Sequence, residues 1–203
     1  MEGLCDNTVE LCEQRQQSIF MVQAQQVQRT VSKLIGKGEE PQYSSEGRDI
    51  LASNSSVLRS YHYQTAYVSF IFRSYDDTIE NIEKYFAFQE TTWGILLLAH
   101  AVHAFHTGLI SFWVARKSKE QRWYQRGNQS KLALRKWAES SQWTFENKWY
   151  LLEAEESFCN NDVEAAKAYY EKAITSAKLH KVRRPQHRYC SKCIHTYVTT
   201  LFF

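Results

Sequence analysis

Residues 147–181, NKWYLLEAEESFCNNDVEAAKAYYEKAITSAKLHK, constrain the fold more than any other stretch of the chain. They read as two antiparallel helices joined by a tight polar turn. In the second helix Val163, Ala166, Tyr170, Ala173 and Ala177 recur in steps of three and four, which places them on one face. Glu164, Lys167, Glu171 and Lys178 fall opposite, as a water-facing side requires. Asn161 followed by Glu164 predicts a capping-box start, with side-chain acceptors for the orphan N–H groups of the first turn. The first helix carries two apolar stripes, Phe145, Trp149 and Leu152 on one side and Leu151, Ala154 and Phe158 on another. A helix that is apolar on two sides is packed between neighbours.

The rest of the chain extends the helical pattern. Two prolines, seven glycines and few alternating β-branched residues favour an all-α fold. A length of 203 residues, 43% of them hydrophobic, supplies a sizeable core and excludes general disorder. Residues 1–35 predict one long helix with an apolar stripe of Val9, Cys12, Ile19, Phe20, Val27, Val31 and Leu34. Residues 36–53, with Gly36, Gly38, Pro41, Ser44, Ser45 and Gly47, predict a loop. Residues 57–72 and 75–88 form a helical pair, with Ser74 and Asp77 capping the later helix. Thr78, Ile82 and Tyr85 repeat the spacing of Ala166, Tyr170 and Ala173, 88 residues earlier. Residues 92–116 and 119–140 fill the interval with a further pair, so three pairs follow a period of about 44 residues. The expectation is a solenoid of stacked antiparallel helix pairs, about seven helices over residues 1–181, with 182–203 an irregular basic tail outside the fold.

Charge and cysteine usage narrow the function classes. Lysine and arginine total 25 against 22 acids, too even for a nucleic-acid footprint. The local excess sits in 182–203, where Arg183, Arg184, Arg188 and Lys192 occur without an acid. Five scattered cysteines, with no signal-like start, favour a reducing, cytoplasmic setting over a disulfide framework.

Three strings invite a more specific chemistry. Residues 95–114 have the length and apolarity of a membrane span, with Arg116, Lys117 and Lys119 at one end. Against that, His100, His103, Thr107 and Ser111 make a polar stripe that favours a buried helix of the solenoid. His100, His103 and His106 have no nearby carboxylate or thiol to complete a tetrahedral metal site. Cys190 and Cys193, flanked by His187 and His195, could form a small zinc- or nucleic-acid-binding module. All four crowd into nine residues, however, and no second ligand pair exists. The phosphate-loop, dinucleotide, kinase, nucleophile-elbow and zinc-protease signatures do not occur in the sequence. The expectation is a chain without a catalytic centre, metal or cofactor.

The order of features from Ala99 onward carries a resemblance. AHAVHAFHTGLISFWVAR is followed by GNQSKLALRKWAESS and then by FENKWYLLEAEESFCNNDVEAAKAYYEKAITSAKLHK. Together they resemble the TPR-like helical region of large signalling proteins that join a protein-kinase-like domain, a STAND/AAA-type ATPase, GAF modules and a histidine kinase. The resemblance covers about residues 1–181 and is most specific in LLEAEESF and AYYEKAI. Ala166, Tyr170 and Ala173 match the small–aromatic–small spacing of a tetratricopeptide second helix, while Ser157 departs from the pattern where an aromatic is expected. The resemblance implies a scaffold or sensor segment that contacts proteins or adjacent domains of the same parent, with every ATPase and kinase motif outside this chain. It further implies a fragment or truncated gene model, because the family would continue in helix pairs where Val182 begins a basic stretch. Tyr67, His100, His103 and Trp149, on inner helix faces, are the candidate groove residues.

Overall fold

The computed structural model describes residues 2–36, 42–88 and 97–181, and every regular element in them is an α-helix. Nine helices are described: α1 Glu2–Gln14, α2 Ser18–Leu34, α3 Ser45–Ser53, α4 Ser55–Ile71, α5 Tyr75–Ala87, α6 Leu97–Ser118, α7 Gln121–Ser140, α8 Gln142–Cys159 and α9 Val163–Lys181. Two more helices are present than the sequence pattern predicts. The long helix expected over 1–35 is broken into α1 and α2, which pack on each other. The loop expected over 36–53 contains α3, started by the Ser44 hydroxyl, which accepts from the Gly47 amide at 3.0 Å. Gly47 serves close approach there, since a Cβ would stand 3.5 Å from Val22 and 3.2 Å from Ser44 Oγ.

The chain divides into two compact units, Met1–Trp93 and Gly94–Phe203. In the first, Met21, Val22 and Val57 form a buried cluster against Val9, Cys12, Tyr43, Ile50 and Leu51. Two side-chain bonds tie α2 to α4: Gln26 Nε2 donates to the Val57 carbonyl at 3.0 Å, and Thr30 Oγ1 to Gln64 Oε1 at 2.8 Å. Thr78, Ile82 and Tyr85 of α5 are all buried, as their spacing predicts, and Tyr85 meets Tyr63 with ring centroids 5.6 Å apart. Ser74 does occupy the N-cap of α5, but its hydroxyl donates to Asp77 Oδ2 at 2.6 Å and caps no backbone amide. In the second unit α6 packs against α7 and α8, and α8 also packs against α7 and α9. The two-sided burial expected of α8 is present, with Phe145, Leu151, Leu152 and Ala154 all inside.

A left-handed residue closes each of four hairpins. Gln16, Arg73 and Asn161 have φ of 52°, 62° and 60°. At each, the N–H of the left-handed residue bonds three residues back and the next N–H five back, the Schellman arrangement. Lys119, at φ 59°, uses the single bond of its N–H to the Ala115 carbonyl at 2.9 Å. None of the four is glycine, although the left-handed region costs a residue with a Cβ about 1 kcal/mol. The corners at 73, 119 and 161 lie 46 and 42 residues apart, close to the sequence period. Asn161 thus ends α8 rather than starting α9. The α9 cap is Asp162, whose Oδ1 accepts from the Ala165 amide at 3.0 Å. This corrects the Asn161–Glu164 capping box, and the shift follows from the left-handed turn taking up one extra residue.

Candidate interaction surfaces

Polar residues of α8 organise the second unit. Glu155 is wholly buried, and its carboxylate is gripped from two helices. Arg116 of α6 donates to Glu155 Oε2, and Tyr170 of α9 donates to Oε1 at 2.5 Å. The Arg116 guanidinium also lies over the Phe158 ring, 4.9 Å from its centroid. On another face of α8, Lys131 of α7 bridges Glu153 and Glu156, and Tyr124 donates to Glu156 Oε1 at 2.9 Å. Burial draws the Lys131 ammonium down, but the Glu156 hydrogen bond and both carboxylate charges outweigh it, so its pKa ends raised. These contacts join all four helices by charge-assisted bonds.

The thiol of Cys159 borders an open cleft of about 300 Å³, whose lining includes Lys119, Glu120, Tyr124 and Asn160. A cysteine beside a cleft invites a nucleophilic reading, and the electrostatics oppose it. Burial pushes the thiol up to about 11, and Cys159 Sγ donates to the Phe112 carbonyl at 3.3 Å. At neutral pH it is a protonated packing group.

The four predicted groove residues are found on three helices. Tyr67 is half-buried on α4, in the first unit. His100 is exposed and His103 half-buried on α6, and Trp149 is half-buried on α8. Trp149 stacks on Tyr150 at 4.8 Å, and its Nε1–H donates to Glu153 Oε1 at 2.9 Å. Thr107 and Ser111 of the polar stripe are buried, the Thr107 hydroxyl donating to the His103 carbonyl at 2.8 Å. His106, one turn on from His103, is a strongly perturbed base. Desolvation first, then the neighbouring His103 and Lys148 charges, lower its pKa from 6.5 to about 3. Among the described residues no three His, Cys, Asp or Glu side chains gather as a metal site. Cys190, Cys193, His187 and His195 lie outside the described residues. Among the described residues no helix is long and apolar enough to cross a membrane.

A second cleft, of about 580 Å³, opens between the α7–α8 corner and the end of α9. Glu139, Ser141, Trp143, Leu179 and His180 line it, and Trp143 and Leu179 are 56% and 68% exposed. An aromatic and an aliphatic side chain flanking a concavity, with polar groups at the rim, form the usual anchor arrangement of a protein contact. Periodicity did not single out either residue, because neither belongs to a buried stripe. Comparison with protein-family models, curated proteins and solved structures gave no match.

Proposed function

We propose that the chain is a non-catalytic helical scaffold or sensor segment of a cytoplasmic signalling ATPase/kinase, acting through protein–protein or interdomain contacts. Its helix pairs stack as a TPR-like solenoid. The observation that carries this reading is the packing order of the second unit, in which α8 lies against α6, α7 and α9. That is the order in which each pair of a stacked repeat covers the apolar face of the pair before it. The polar groups on α8 support it too, since Glu153, Glu155 and Glu156 are committed to interhelical bonds. The contact surface is the cleft flanked by Trp143 and Leu179.

The test is a binding titration of the full chain against isolated kinase-like, ATPase, GAF and histidine-kinase domains of proteins built on the resembled architecture. Saturable binding to one of them, weakened at least about tenfold by Trp143→Ala or Leu179→Glu, is the expected result. Absence of binding to all four, or binding indifferent to both substitutions, would remove this reading.

A further inference from the structure

Between α2 and α4 one buried acceptor is left unsatisfied by the two helices. Gln26 is 2% exposed, and its Nε2 donates to the Val57 carbonyl at 3.0 Å, which fixes which way the amide points. Its Oε1 is closed to bulk solvent and has no donor among the described residues. The large majority of buried side-chain polar atoms in proteins have a partner, from protein or from water. Gln26 also lines a cavity of about 30 Å³, together with Thr30 on α2 and Tyr61, Gln64, Thr65 and Val68 on α4.

We propose that this cavity binds a single ordered water, which donates to Gln26 Oε1 and bridges α2 to α4. Volume and polarity select that occupant. Arg29 and Lys33 also line the cavity and would suit an anion, but about 30 Å³ is the share of one molecule in liquid water. A phosphate or a carboxylic acid needs more room. A buried water typically makes about three hydrogen bonds, and the lining supplies groups for them. Gln26 Oε1 takes one of its protons. The Thr30 hydroxyl gives its own proton to Gln64 Oε1 at 2.8 Å, so its oxygen is left to accept the second. The Thr65 hydroxyl, in the same lining, is a donor for the water oxygen. The water thus adds a third tie to a junction whose direct ties are Gln26 to Val57 and Thr30 to Gln64. The site lies within the first unit and does not depend on the repeat reading of the second.

Val68 is 7% exposed and belongs to the apolar part of the lining, so Val68→Leu adds bulk at the cavity. Magnetic relaxation dispersion of the water oxygen signal counts long-lived waters, and full-length Val68→Leu should hold one fewer than the unsubstituted chain. The same substitution should raise the unfolding constant in urea at least about fivefold, because Gln26 Oε1 loses its donor. In a Gln26→Met background, which has no acceptor to strand, that cost should largely disappear. Equal water counts in the two chains would overturn the proposal. So would a stabilising Val68→Leu, the mark of a dry cavity being filled, or an equal cost in both backgrounds, the mark of overpacking. Stability that rises with sodium formate at constant ionic strength would give the cavity to an anion and overturn it as well.

Discussion

Glu155 is the residue whose role most depends on its surroundings. Its carboxylate is removed from water and retained only because Arg116 and Tyr170 both donate to it. Glu155→Ala strands a guanidinium that is 14% exposed, and such a break costs about 3–5 kcal/mol. Tyr170→Phe removes one bond to a charged group, for about 1.5–3 kcal/mol. Replacing the ion pair by Arg116→Met with Glu155→Leu, together with Tyr170→Phe, should come out near neutral, because both desolvation costs vanish and no buried hydroxyl is left without its acceptor. Urea unfolding of the three variants checks this, and a combined variant that loses as much stability as Glu155→Ala would contradict it. His106 sets an acid limit. Its folded pKa near 3 lies below the unfolded 6.5, so its contribution is present above pH 6.5 and lost as pH falls towards 3. Thermal unfolding from pH 7 to 3 should show a decline in stability over that window, and His106→Leu should flatten it.

Among the elements, α6 and α7 show why a propensity rule reverses in context. A glycine inside an exposed helix normally costs about 1 kcal/mol relative to alanine, so Gly127→Ala on α7 would be expected to stabilise. Here the added Cβ would sit 2.8 Å from the Phe112 ring, and Phe112 is wholly buried. Gly127→Ala should therefore destabilise by about 1–3 kcal/mol, as overpacking does, with the change read from the urea midpoint at constant slope. The α2 helix teaches the opposite lesson about periodicity. The apolar stripe predicted along residues 1–35 includes Ile19, Phe20, Val27 and Leu34, and all four are exposed, while Val9 and Cys12 of the same stripe pack against the core. A wheel shows that a face is apolar without showing what it packs against, and Met21 and Val22 were the residues taken inside. Val163 went the same way at the start of α9, where it is 40% exposed.

On the proposed stacked-repeat reading, the second unit should lose order from its disturbed end inward. In native-state hydrogen exchange, Tyr170→Phe should lower protection in α9 and α8 while α6 keeps most of its own. Uniform loss across α6 to α9 would mean one indivisible core. Local sequence was enough to determine that the chain is helical, where most helix pairs break and which residues of α5 and α8 are inside. Those features rest on spacing, which neighbours within a helix impose on each other. It also held a sign of Glu155, three residues after Leu152 and four after Leu151, within the apolar arc of α8. Only the tertiary structure assigned that carboxylate its partners, because Arg116 and Tyr170 come from other helices, 39 and 15 residues away. It likewise decided which side of α2 is the core side and brought Trp143 and Leu179 to one cleft. Burial is a property of what packs alongside, and a single helix does not carry that information.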